Sequence, residues 1–334
     1  MGWYSAIVRG AFFTLPPEAA HRAAGALLSL PFPWERIGGA QEDDRLHVTL
    51  AGIPLRNPIG LAAGFDKGCR HLDALGRLGF GYVVGGTVTR RPRIGNPRPR
   101  VVRYPKQRAM TNSMGLPNPG AHVVRRTLSS MPRTAPRLVS LADEDPADAA
   151  WTCELLDPLV DAFELNASSP NAGWRHEGHR VVEVARGLLD VTARPVFVKL
   201  PPFRSEGERG EVLGLAEAVL GEGVAGLTCS NTSPMEERRL ATGRGGLSGA
   251  PLGAATVGIV REVRRAVGEG IPINASGGVF GTDGALACLA AGATTVQLFT
   301  ALLYEGPGLV GQLTRELASA MRERGTDVAA LSTR

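Results

Sequence analysis

From residue 46 onward, short apolar runs alternate with longer stretches in which apolar residues recur at helical spacing. The runs at 59–63, 82–86, 137–141, 162–166, 196–200, 226–229, 271–275 and 295–299 are nearly continuous in aliphatic and aromatic residues. A strand covered on both faces reads this way. Helical stretches are predicted at 71–78, 148–156, 181–191, 210–220, 254–266, 283–291 and 308–324, between or after most of those runs. Eight apolar strands alternating with helices predict an α/β chain folded as a (β/α)8 TIM barrel. A doubly wound open sheet is the alternative, but no GxGxxG follows the first strand, which weighs against a dinucleotide fold. Residues 47–55 alternate in polarity and turn at Ala51-Gly52, predicting a hairpin across the bottom of the barrel.

The start of the chain follows a different pattern. Residues 1–13 carry Trp3, Tyr4, Ile7, Val8, Phe12 and Phe13 with a single Arg9, and break at Pro16-Pro17. A second short helix is predicted over 18–30, with Ala and Leu on one side and His21 and Arg22 on the other, ending before Pro31-Phe32-Pro33-Trp34. No stretch reaches the ~18–20 apolar residues of a spanning helix. Nor does a basic n-region precede the apolar part, so a signal peptide is not expected. Two readings stay open. The aromatic helices pack onto the barrel or a partner subunit, or they lie in a membrane interface as a monotopic anchor. The expected division is a helical extension over 1–40 and a barrel over 41–334.

Composition narrows the function. The four cysteines, at 69, 153, 229 and 288, stand alone with no CxxC pair. A reducing compartment follows, and no metal site is expected. The 37 basic residues include only three lysines, Lys67, Lys106 and Lys199, and the chain has eight asparagines. This skew suggests a GC-rich genome, in which a retained Lys or Asn is worth following. The net charge of +5 is densest over residues 90–103, where six arginines are interrupted by proline and glycine. That run reads as a solvated loop. No aromatic residue interleaves before Tyr104, so a base-stacking surface, and with it a nucleic-acid partner, is not expected.

Chemistry in such a barrel sits at the carboxyl ends of its strands. There the chain carries Ala63-Gly64-Phe65-Asp66-Lys67, Gly86-Thr87, Asn166-Ala167-Ser168-Ser169-Pro170-Asn171, Lys199, Ser230-Asn231-Thr232, Ser276-Gly277-Gly278 and Phe299-Thr300. The insertion after the second strand adds Asn112-Ser113-Met114-Gly115-Leu116. Two of three lysines and four of eight asparagines thus point into one mouth. Taken singly, the Asn-Ser-Pro cluster and the paired glycines are ordinary turn chemistry. Taken together, they suit a phosphate-bearing cofactor cradled after the seventh and eighth strands. Flavin mononucleotide (FMN) fits, since a lysine near its ring would stabilise the reduced form. Neutral amides with Lys67 as counter-charge would suit a planar substrate bearing a carboxylate.

These motifs resemble those of class 2 dihydroorotate dehydrogenases, the membrane-associated, quinone-reducing branch, over nearly the whole chain. The resemblance implies FMN-dependent oxidation of dihydroorotate to orotate in pyrimidine biosynthesis, on the cytoplasmic face of the cell membrane. It implies Ser169 as the base that takes the C5 proton while hydride passes from C6 to the flavin. FMN contacts would come from Ala63, Gly64, Lys67, Thr87, Ser140, Asn166, Lys199, Ser230, Gly249, Gly278, Phe299 and Thr300. Substrate contacts would come from Lys67, Asn112, Ser113, Met114, Gly115, Leu116, Asn166, Asn171, Asn231 and Thr232. Quinone would enter between the N-terminal helices.

The chain departs from the family pattern near the proton relay, where Ala172 stands for Thr and Leu116 for Phe. Ser140-Leu141-Ala142-Asp143-Glu144 occupies the place of an Asn followed by Gly-Lys-Asn, and Ser230 that of a Thr. An FMN barrel with another dihydropyrimidine-like substrate or acceptor is therefore an alternative, as is a flavin-binding module with impaired chemistry.

Overall fold

The computed structural model describes residues 8–143, 145–167 and 178–331. Eight parallel strands close into a barrel: β1 (Ile59–Leu61), β2 (Tyr82–Val88), β3 (Arg137–Leu141), β4 (Ala162–Leu165), β5 (Val196–Lys199), β6 (Gly226–Cys229), β7 (Ile273–Ser276) and β8 (Thr295–Leu298). Closure is direct, β8 pairing with β1 through Val296 against Ile59 and Leu298 against Leu61. The eight predicted strands are all present, with ends moved by at most two residues. Pro272 explains one move. It has no N–H to donate, so β7 starts at Ile273, while the Pro272 carbonyl still accepts from Leu227 N.

The outer helices follow their local signals. Pro146–Leu156 opens with proline at its first position and Asp145 as its cap, accepting from Ala147 N at 2.9 Å. Glu206–Gly221 is capped by Ser205, which accepts from Glu208 N. The hairpin of Val48–Leu50 with Ile53–Leu55 turns at Ala51 and Gly52, both with positive φ, as a tight two-residue turn requires. It leads into the amino end of β1 and buries Leu46, Leu50 and Leu55.

At the opposite end, a four-stranded antiparallel sheet overlies the mouth, in the order Ser233–Glu236, Arg244–Gly249, Ala109–Asn112, Val101–Tyr104. It joins the insertion after β2 to the one after β6. Strand pairs this far apart in sequence leave no local signature. The same insertion forms an unforeseen helix, Ala121–Ser129.

The arginine-rich run differs from the expected solvated loop. Val101–Tyr104 is a strand, and Arg100 is buried. Its guanidinium is accommodated by the Glu18 carboxylate and by the carbonyls of Ile94 and Asn96. The N-terminal helices α1 (Arg9–Thr14) and α2 (Pro17–Leu28) pack beside this insertion, while α3 (Trp34–Gly38) packs on the helices Leu72–Arg77 and Leu309–Arg324. Residues 1–7, which carry Trp3 and Tyr4, lie outside the described residues.

Candidate active site

A cavity of about 1200 Å³ runs from the carboxyl ends of the barrel strands to the gap between α1 and α2. Its inner part is polar, bounded by Lys67, Thr87, Asn112, Asn166, Lys199 and Asn231. Its outer limb is apolar, bounded by Phe12, Phe13, Leu27, Leu28 and Phe32, with His21 and Arg103 among them.

The polar part is cross-braced. Asn166 follows β4 directly, and its Nδ2 donates to Thr87 Oγ1 at 3.1 Å. Thr87 Oγ1 is in turn 3.0 Å from Ser140 Oγ on β3. Asn231 Nδ2 donates to Asn166 Oδ1 at 3.5 Å, and Asn231 Oδ1 accepts from Thr232 N at 2.7 Å. Across the mouth, Thr300 Oγ1 donates to Ser248 Oγ at 3.0 Å, tying the end of β8 to the overlying sheet.

Lys67 donates to Gly64 O at 2.6 Å. Burial pushes its ammonium down to about 8, against the opposing pull of Asp66. Where polar part meets apolar limb, Phe65 stands edge-on to both Phe299 and His21, with ring centroids 5.8 and 5.7 Å away. Burial and the nearby Lys67 charge push the His21 imidazole down to about 4, so it is neutral at physiological pH.

The dihydroorotate dehydrogenase family model matches residues 45–321. The chain belongs to the dihydroorotate dehydrogenase family. It is 36% identical over 337 residues to a dihydroorotate dehydrogenase (quinone) of Rhodopseudomonas palustris, covering 94% of this chain and 90% of that protein. It is 38% identical over 342 residues to one of Anaeromyxobacter, covering 95% and 93%. It superimposes on a crystal structure of Eimeria tenella DHODH in complex with ferulenol with a TM-score of 0.82, at 27% identity and 94% coverage of both chains. Family, barrel and quinone-dependent enzyme class thus agree with the resemblance drawn from the motifs.

In this dihydroorotate dehydrogenase, every described residue singled out for cofactor or substrate lines the cavity except two. Ser140 is buried behind Thr87 and orients it. Ser113 is buried behind Asn112, and its Oγ has no hydrogen-bond partner. Ser169, Asn171, Ala172 and Glu144 lie outside the described residues.

Sequence reasoning missed Asn118, which holds the loop bearing Met114 to Leu116. Its Nδ2 donates to Thr89 Oγ1 and Leu116 O, and its Oδ1 accepts from Thr89 N and Gly120 N. The asparagine count was the available signal. Asp143, one of the departures from the family pattern, is also buried. It accepts from Arg90 N at 2.7 Å, and burial pushes its carboxyl up to about 6.

Proposed function

We propose that the chain oxidises dihydroorotate to orotate, with FMN in the inner part of the cavity and a membrane quinone reaching it along the apolar limb. The continuity of one cavity from polar strand ends to apolar helix pair carries this reading. An enzyme with two half-reactions at one cofactor needs two approaches of opposite polarity, and this cavity has both.

Bare backbone supports a phosphate at the inner end. At Gly278, φ is +70° and an added Cβ would stand 2.2 Å from Gly253 N, at the start of the 15-residue helix Gly253–Val267. Gly249, with φ +108°, would bring a Cβ within 2.4 Å of Arg108 O. Both glycines line the cavity, and Gly278 lies beside the amino end of a long helix, which suits an anion held on N–H groups. When bound, FMN supplies the hydride acceptor.

The chain's own groups do the rest of the work. Asn112, Asn166, Asn231 and Thr232 offer neutral donors and acceptors to the pyrimidine edge, with Asn171 expected beside them. Lys67 faces the substrate carboxylate as an ammonium below about pH 8. Ser169 is the proposed base. A serine hydroxyl is weakly basic, so it must pass its proton on to a neighbour or to water. Ser140 acts through Thr87 rather than on the bound groups.

Leu15, Leu27, Leu30 and Phe32 are exposed around the outer limb. No helix among the described residues is long and apolar enough to cross a membrane. Peripheral docking of α1 and α2 on the cytoplasmic face of the membrane would bring a lipid-soluble acceptor to the opening.

The test separates the half-reactions. Dihydroorotate added without oxygen should bleach the flavin absorbance, and quinone should restore it. Ser169→Ala should slow bleaching by roughly 10²–10⁴-fold. Deleting residues 1–33 should impair quinone reoxidation more than bleaching. Protein that takes up no FMN would end this reading, and equal loss in both half-reactions would reduce the helices to packing.

A further inference from the structure

We infer that Glu164 is a positioning residue that holds Lys199 against the cofactor and lowers the flavin's affinity for electrons. The inference rests on FMN binding at the inner end of the cavity. Glu164 lies two residues before Asn166, so strand alternation points both side chains into the barrel, Glu164 one layer deeper. Its side chain is 0% exposed, in a layer that barrels usually fill with branched apolar residues.

Glu164 Oε1 lies 3.7 Å from Lys199 Nζ and has no hydrogen-bond partner. Its Oε2 accepts from Thr228 Oγ1 at 2.9 Å and from Gln297 Nε2 at 3.1 Å. Gln297 Oε1 accepts from Lys199 Nζ at 3.3 Å, so the glutamine clamps both charged groups at once.

Behind the carboxylate, donors line up in one direction. Asn274 Nδ2 donates to Thr228 Oγ1 at 3.2 Å, and Asn274 Oδ1 accepts from Thr295 Oγ1 at 2.6 Å. With its own hydrogen committed, Thr295 must accept from Tyr82 OH, 2.8 Å away. Burial pushes the Tyr82 phenol well up, so it keeps the proton it donates. From Tyr82 through Thr295, Asn274 and Thr228, each donor polarises the next, and all of them end on Glu164.

A buried ion pair is a weak device for stability, because apolar side chains of similar volume do as well or better. The pair's location is its distinguishing feature. Lys199 is a cation at the inner end of the cavity, and Glu164 is the anion held behind it. Lys199 favours the electron-rich reduced ring, and a fixed carboxylate behind it opposes that effect while holding the ammonium in place.

The experiment is a reductive titration of the FMN-loaded protein against reference dyes. Glu164→Gln keeps the shape and removes the charge. The ratio of reduced to oxidised flavin at a set potential should rise at least tenfold, about 30 mV for a two-electron couple. Glu164→Asp, which keeps the charge but withdraws it, should give a smaller rise. A change below twofold in Glu164→Gln overturns the inference, as does a fall. Failure of both variants to fold overturns it too, since the carboxylate would then be a structural requirement. Wild-type protein that retains no FMN is a separate result, and it would refute the cofactor reading itself.

Discussion

The Glu18 carboxylate on α2 accepts from the Arg100 guanidinium at 2.8 and 3.1 Å, and so pins the N-terminal helices to the insertion that carries Asn112. Arg98 adds a third bond at 2.9 Å. One acidic side chain thus joins the wall of the apolar limb to the polar mouth.

Glu18→Ala leaves the buried Arg100 charge without its carboxylate. Removing one partner of a fully buried pair costs roughly 3–5 kcal/mol. Glu18 itself is partly exposed, which brings the expected loss toward about 1–2 kcal/mol. Melting should fall by a few degrees, and quinone reoxidation should suffer more than flavin bleaching. Acid should act the same way. Burial alone would raise the Glu18 carboxyl, but Arg100 and Arg98 outweigh it and hold it below 4.5. A depressed carboxyl contributes stability above its unfolded value, and that contribution is lost as pH falls through the folded one. A melting curve and a reoxidation rate insensitive to Glu18→Ala would count against this link.

In its proposed place against the substrate carboxylate, Lys67 should set an upper pH limit for substrate binding. Its ammonium is pushed by burial from 10.5 to about 8. For stability the sign favours alkali. The cost of burying the charge is present below about 8 and disappears as pH rises toward 10.5. For binding the sign is opposite, because the neutral amine cannot pair with a carboxylate. KM for dihydroorotate should rise about tenfold per pH unit above 8, with kcat changing less. Lys67→Met should raise KM at pH 7 by roughly 10–100-fold and flatten its dependence above pH 8. A KM that stays level from pH 7 to pH 9 in the unaltered enzyme would remove Lys67 from substrate binding.

Two glycines that follow β7 should respond differently to a methyl group. Gly278→Ala meets Gly253 N at 2.2 Å at a φ of +70°, whereas Gly281 has nothing within 4 Å of an added Cβ. Gly278→Ala should lower FMN retention at least tenfold and destabilise the fold by about 1–3 kcal/mol. Gly281→Ala should leave both nearly unchanged. Flavin content after gel filtration, with melting curves, decides the matter. Equal retention in the two variants would detach Gly278 from the cofactor.

Much of this was legible in the primary structure. Each barrel strand is a short apolar run between turns, and each such run registers within its own few residues. Where a run stops, the polar residue that follows lies at the mouth, so Lys67, Asn166, Lys199 and Asn231 came forward from position alone. Other residues stayed hidden for identifiable reasons. Glu164 looks like a flaw in an apolar strand until Lys199 and Gln297 from two other strands surround it. Arg100 looks solvated because its counter-charge, Glu18, is 82 residues away. Ser113 and Ser140 sit at strand ends but are buried out of the cavity, Ser140 beneath Thr87, a depth that the apolar pattern does not reveal.

Local spacing was therefore enough for the barrel, the order of its strands and the residues at their carboxyl ends, because period and turn chemistry act over a few residues. Its motifs were enough for the family. Folding alone settled which polar groups meet. The sheet over the mouth pairs Gly246 with Asn112, and the buried network brings together β2, β4, β5, β6, β7 and β8. Such contacts depend on closure of the whole barrel, which places side chains from six strands around one axis and within hydrogen-bond reach.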